Sequence, residues 1–182
     1  AYSYWGVKAF ERFNGMFALA ILDKKSKELT VARDRYGIKP LYYSLNSKQF
    51  VFASEIKAII SADSVGSELS PEGLLEYLTF QNFFTSNTLF KNINMFPAGC
   101  FGVFDLESKD SLKISRYWDF CFEEPKYQHD EKELIEELDR LFKQAVKRQL
   151  VSDVEVGSYL SGGIDSGSIT AVAAKSLPNL KT

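Results

Sequence analysis

Short apolar runs separated by charged or glycine- and proline-bearing punctuation dominate the first two thirds of the chain, and helical spacing takes over in the last third. Residues 16–22 are apolar, KKSKE forms a charged turn, and residues 29–32 make the return strand of a hairpin. Gly37 and Pro40 punctuate the next connection. Residues 41–43 and 50–53 then form a second hairpin turning about Asn46, Ser47 and Lys48, and 55–60 reads as a helix. SPEGLLEY at 70–77 has the form of a helix start, with Ser70 as cap and Pro71 in the first turn. Strands at 100–105 and 115–120 close this part of the chain, and CFEEPKYQH breaks the alternation between Asp119 and Asp130, where a domain boundary is expected. Asp130 with Glu133 is a capping pair for a helix whose Leu134, Leu138, Leu141, Phe142, Ala145 and Val146 share one face. That face is expected to pack on a sheet whose first strand is 154–160. Val154, Val156, Tyr159 and Leu160 read as buried, and the run ends where glycines begin. From Ser166 onward Ile169, Val172 and Ala173 recur at helical spacing, and Pro178 closes the segment.

Composition narrows the classes. At 182 residues, with 45% hydrophobic and 14% aromatic residues, the chain has material for the core of one or two domains. A net charge of −2 with mixed signs argues against a nucleic-acid surface. No apolar run is long enough for a membrane span, and no charged segment leads into a signal-like apolar stretch. Two separated cysteines, Cys100 and Cys121, make neither a disulfide framework nor a metal site; both lie in strand-like apolar surroundings and read as buried structural thiols in a reducing cytoplasm. The chain opens on Ala1 and ends at Thr182 one helix after the glycines, so an internal fragment of a longer polypeptide is expected.

The candidate chemistry lies between the last strand-like run and the last helix, at Ser161-Gly162-Gly163-Ile164-Asp165-Ser166. Two glycines turn the chain and let N–H groups approach an anion, and the helix that follows offers unpaired donors and a partial positive charge. Ser161 and Ser166 add hydroxyls, and Asp165 offers a ligand for a magnesium ion that screens phosphates. The loop carries no lysine, so it is not a Walker loop, and the dinucleotide fingerprint is absent. The alternative is a serine- and glycine-rich turn with no ligand. His129, the single histidine, lies in the charged linker and reads as solvated; Glu136 and Glu137 fall on the polar face of their helix. Arg33 and Asp34 follow a strand directly, which fits either a structural ion pair or a role at an interface between domains. Trp118, Tyr117 and Phe120 form an aromatic cluster that reads as core.

SGGIDS matches the SGGxDS motif of the ATP pyrophosphatases, which split ATP between its α and β phosphates to adenylate a substrate. LVSDVEVGSYLSGGIDS resembles the opening of the synthetase domain in glutamine-hydrolysing asparagine synthetases, where the position of Glu155 is more often proline. Upstream, RDRYGIKPLYY and ASEIKAI resemble the RDxxGxxPL and ASExxAL strings of the class II glutamine amidotransferase domain. The resemblance implies α/β and α+β architecture. The C-terminal half of an Ntn-type αββα glutaminase sandwich would occupy residues 1–120 and a linker 121–129. The first βα unit of a parallel-sheet, PP-loop adenine-nucleotide domain would occupy 130–182. It implies an ATP site at Leu160, Ser161, Gly162, Gly163, Asp165 and Ser166, with Mg2+ at Asp165. Glutamine, aspartate and ATP are the implied substrates, and a homodimer is left open. No catalytic residue is inherited: the family nucleophile is an N-terminal cysteine, and its glutamine-binding motifs belong upstream of Ala1. A β-lactam-forming or sugar-carboxylate relative, or an inactive one, stays open as an alternative.

Overall fold

A computed structural model describes residues 1–46, 49–108, 111–124 and 130–182, which divide into two compact units, Ala1–Cys121 and Phe122–Thr182. The first unit opens with a short helix α1 (Tyr2–Trp5) and a 3-10 turn (Gly6–Arg12). It continues through strands β1 (Ala18–Asp23), β2 (Glu28–Arg33), β3 (Tyr42–Leu45) and β4 (Phe50–Ala53). Helices α2 (Ile56–Ile60) and α3 (Pro71–Phe80) follow, and then strands β5 (Asn94–Met95), β6 (Cys100–Asp105) and β7 (Leu112–Arg116). Two antiparallel sheets result, ordered β1-β2-β6-β7 and β4-β3-β5.

The sheets are held face to face by alternate side chains. Val31 of β2 and Cys100 of β6 pack with Leu41 and Phe96, and against them lie Tyr43, Phe50 and Phe52 of the second sheet. Phe50 and Phe104 stack across the interface with centroids 5.1 Å apart. The opposite face of the first sheet is covered by the N-terminal turns, where Phe10 meets Phe101 and Tyr117, and the Tyr2 hydroxyl pairs with that of Thr30 at 2.9 Å. Covered on both faces, β2 is buried from Thr30 to Arg33 instead of alternating. On the far side of the second sheet, Ile59 of α2 packs with Val65 and Ile93 over Tyr42 and Val51. Helical turns, sheet, sheet and helix therefore stack in that order.

Both expected hairpins form, β1 with β2 and β3 with β4, although the turn residues Ser47 and Lys48 lie outside the described residues. The strand expected at 115–120 is displaced to β7, Leu112–Arg116. Its ladder stops because the N–H groups of Tyr117 and Trp118 both donate to the Gly99 carbonyl, so no separate acceptor continues the pairing. Ser70 caps α3 as its sequence suggests, its hydroxyl accepting from Gly73 N–H at 3.1 Å, with Pro71 as the first helical residue. Gly73 is buried where the helix meets the 88–90 segment, and a Cβ at that position would overlap the Thr88 carbonyl oxygen outright. Gly73→Ala is therefore expected to destabilise the protein by about 2 kcal/mol, read as a lowered denaturation midpoint, because the overlapping atom belongs to the main chain and cannot rotate aside as a side-chain end would.

The second unit contains helices α4 (Glu131–Gln149) and α5 (Ile164–Ala174). Acidic Glu131 and Glu133 in the first turn of α4 and basic Lys147 and Arg148 in its last complement the helix dipole. The capping pair differs from expectation: Asp130 accepts from Lys132 N–H, two residues on, and Glu133 contributes charge. Val146 and Ala173 are the buried apolar residues of α4 and α5. Phe142 is half-buried, and Leu134, Leu138 and Leu141 of the same stripe are exposed.

The buried strand expected at 154–160 is absent. Val154 and Tyr159 are 76% and 96% exposed, and pairing among the described residues is one parallel bridge, Gly157 with Lys181. A β-branched run becomes a strand only when neighbours supply its ladder, and Lys181 supplies a single rung.

Candidate functional site

The glycine loop of the second unit is built from its two ends. Before it, Ser158 N–H donates to the Lys181 carbonyl at 2.8 Å, and the side chains of Lys181 and Glu155 pair beside that contact. After it, Gly163 is the N-cap of α5 in extended conformation, and its carbonyl accepts from Gly167 N–H at 3.0 Å. Gly162 carries the reversal with φ +84°, a conformation that costs glycine nothing, and open space surrounds the place where its Cβ would lie. No side chain caps α5, so the first-turn N–H groups of Ile164, Asp165 and Ser166 are directed outward without intrahelical partners. The Ser161 and Ser166 hydroxyls lie 3.0 Å apart, and Ser166 also donates to the Gly163 carbonyl at 3.1 Å, which folds both serines over the turn.

The structure thus brings Ser161, Gly162, Gly163, Asp165 and Ser166 together around one helix start, with Leu160 exposed beside them. The arrangement suits an anion: outward N–H groups, hydroxyls and a partial positive charge converge on uncovered space. Asp165 is a negative charge on the same turn, so a phosphate there is best accompanied by a cation. Among the described residues no group of three or more His, Cys, Asp or Glu side chains is arranged to hold a metal ion. Any divalent ion at Asp165 would therefore take much of its coordination from phosphate oxygens and water.

Arg33 and Asp34 sit in the first unit, both buried, and of the two readings left open for them the direct ion pair is not formed among the described residues. The Arg33 guanidinium donates to three carbonyls, of Lys39 at 2.8 Å, Phe96 at 2.7 Å and Gly37 at 2.7 Å. The Asp34 carboxylate accepts from four main-chain N–H groups: Phe17 at 3.2 Å, Tyr36 at 3.2 Å, Ile38 at 3.0 Å and Lys39 at 2.9 Å. Burial alone would raise the Asp34 pKa, but these four bonds outweigh it and hold the carboxyl below its ordinary range. Burial lowers the pKa of Arg33, opposed by Tyr42 and Asp34. The reason is geometric: the 34–40 connection turns back on itself and, with the Phe96 carbonyl and the Phe17 N–H, presents main-chain dipoles that solvate each charge separately.

Other expectations resolve individually. The Cys100 thiol is buried, and burial raises its pKa, which fits an inert thiol. Cys121 is exposed and outside any strand, against the expectation of a buried thiol, because the ladder has already ended at β7. His129 lies outside the described residues. Glu137 pairs with Arg140 on the polar face of α4, and Glu136 lies 4.0 Å from Lys132. Trp118 contacts Tyr36 and Phe120, both exposed, so this cluster is a surface feature and not core. Tyr117 differs: its hydroxyl donates to the Arg33 carbonyl at 2.8 Å, and burial raises its pKa to about 12. Sequence reading missed Glu76, whose carboxylate accepts from Phe84 N–H, Thr85 N–H and the Thr85 hydroxyl and so pins the segment after α3. It also missed Ser158 with Thr170, hydroxyl to hydroxyl at 2.7 Å; a serine within an apolar run was the available signal.

Comparison with known proteins decides the family. The model of the glutamine amidotransferase domain matches residues 1–118. The chain belongs to that family. A second model, asparagine synthase, matches residues 137–182, which include the glycine loop. Curated relatives span both matched regions. An asparagine synthetase [glutamine-hydrolyzing] 3 of Bacillus subtilis is 39% identical over 96% of this chain and 28% of its own length. A putative asparagine synthetase [glutamine-hydrolyzing] 2 of Methanocaldococcus jannaschii is 34% identical over 94% of this chain and 33% of its own length. The amidase chyE of Penicillium rubens is 33% identical over 95% of this chain and 25% of its own length. The chain thus spans a third or less of the length of these curated relatives. No helix among the described residues is long and apolar enough to cross a membrane.

Proposed function

We propose that these residues belong to a glutamine-hydrolysing asparagine synthetase. The reaction would consume aspartate, ATP and glutamine. Glutamine plus water gives glutamate and ammonia. The aspartate side-chain carboxylate attacks the α-phosphate of ATP and expels pyrophosphate. Ammonia then attacks the resulting acyl adenylate, and AMP leaves as the carbon–nitrogen bond of asparagine forms. The observation that carries this reading is the coexistence, in one chain, of the amidotransferase match with an SGGIDS loop whose helix start is open to an anion.

In this reading residues 1–120 form the later part of an N-terminal-nucleophile αββα sandwich, 121–129 link the domains, and 130–182 open a parallel nucleotide-binding sheet. The order of layers in the first unit supports the former assignment, and the parallel sense of the Gly157–Lys181 bridge supports the latter. Gly162, Gly163 and the first turn of α5 would bind the phosphates through N–H groups, with Ser161 and Ser166 adding hydroxyls and Leu160 lying along the nucleotide. A magnesium ion at Asp165 would screen phosphate charge as pyrophosphate leaves. Arg33 and Asp34 act structurally, fixing the 34–40 connection.

Aspartate-dependent exchange of labelled pyrophosphate into ATP by the full-length protein tests the assignment. Exchange with aspartate, and asparagine formed from either glutamine or ammonia, is the expected result. Exchange dependent on a different carboxylate would change the acceptor, and exchange with none would overturn the reading.

A further inference from the structure

We infer that Ser158 and Thr170 form a hydroxyl clamp that sets the spacing of the glycine loop, which makes Thr170 a positioning residue for the nucleotide; this rests on the ATP-binding reading above. Ser158 is the last residue before the loop whose main chain is anchored, through its N–H to the Lys181 carbonyl at 2.8 Å. Among the described residues, none of the N–H groups from Tyr159 to Gly162 donates to another main-chain group. The loop leaves its neighbours at Ser158 and is next held at Gly163, where α5 begins. The Ser158 hydroxyl reaches across this gap to Thr170, inside α5, at 2.7 Å.

The surroundings make that contact consequential. Ser158 borders a cavity of about 350 Å³ lined mainly by apolar side chains, among them Phe142, Val146, Val156, Ile169 and Ala173. Both hydroxyls are half-buried, so each satisfies the other where few competing partners exist. Inside the loop the Ser161 and Ser166 hydroxyls make a second tie at 3.0 Å. The two ties are nested, one at the lip of the turn and one at its base. Loss of the outer tie leaves the Ser158 hydroxyl to seek water and lets the loop sample wider separations from the helix start. A nucleotide must then restore the spacing when it binds, which weakens binding without changing the bonds made once it is bound.

The test measures aspartate-dependent ATP–pyrophosphate exchange in the full-length protein. Thr170→Val keeps the shape of the side chain and removes the hydroxyl. It is expected to raise the KM for ATP roughly fivefold, the scale of one lost hydrogen bond, with kcat within about twofold. Ser158→Ala is expected to give the same rise, the double variant no more than either single, and Thr170→Ser to restore wild-type KM. Thermal unfolding is followed for each variant, and Ser158→Ala carries the comparison if Thr170→Val does not fold. An unchanged KM for ATP in an exchanging protein, or no rescue by Thr170→Ser, would overturn the clamp and leave the ATP reading standing. Failure of the wild-type protein to exchange or to bind ATP would overturn both.

Discussion

Asp165→Ala in the full-length protein is expected to abolish aspartate-dependent ATP–pyrophosphate exchange while leaving glutamine hydrolysis intact. Asp165 occupies the first turn of α5 and is exposed beside the uncapped N–H groups. A carboxylate there repels a bare phosphate and becomes useful only as a ligand for the cation that accompanies it. Removing it strips charge screening from the departing pyrophosphate, for which a loss on the order of 10²-fold or more is expected. Because the side chain is exposed, the substitution should change folding stability by only about 0.5 kcal/mol. A variant that folds normally and hydrolyses glutamine but does not exchange would locate the fault in the nucleotide step. Unchanged exchange would remove Asp165 from the mechanism.

Asp34→Asn is expected to cost about 3 kcal/mol of stability, measured as a shift in the denaturation midpoint. Asp34 is 1% exposed, and four N–H groups converge on its two carboxylate oxygens. An amide of the same shape offers one oxygen and places an NH2 group against two of the donors, leaving them unpaired in a buried site. The pH dependence follows from the lowered folded-state pKa. A carboxyl held below its unfolded value, about 4, stabilises the fold fully above that value. The contribution is lost as pH falls from there through the lower folded-state pKa. The wild-type midpoint should therefore decline below about pH 4, and the decline should be shallower in Asp34→Asn. Equal slopes in the two proteins would mean that Asp34 is not the titrating group.

Local readings succeeded where a few consecutive residues held the decision. Phe50–Ala53 and Cys100–Asp105 form strands with the expected bounds, and Ser70 with Pro71 starts α3 as anticipated. In each case turn chemistry or a short apolar alternation is sufficient. Readings failed where the outcome depended on a partner. Residues 154–160 have the composition of a strand, yet strand formation needs a ladder, and the described residues provide one rung. Residues 117–120 extend the pattern of β7, but a shared acceptor at Gly99 ends it. Cys121 looked buried because aromatic neighbours flank it in sequence, and those neighbours turned out to be exposed.

The sequence by itself determined both hairpins, helix α2, the start of α3 and strand β6 of the first unit, the position of the glycine loop before a helix, and the motifs by which the family can be known. These are encoded in spacing over a handful of residues, where backbone sterics and side-chain period act locally. Only the tertiary structure decided which groups Arg33 and Asp34 bond to. Arg33 reaches a carbonyl 63 residues away at Phe96, and Tyr117 returns 84 residues to donate to the Arg33 carbonyl. It also decided that Ser158 and Thr170 share a hydrogen bond across the loop. Contacts of that kind depend on how sheets and helices fold back on one another, and a charge or hydroxyl in a sequence does not specify which distant main-chain group will satisfy it.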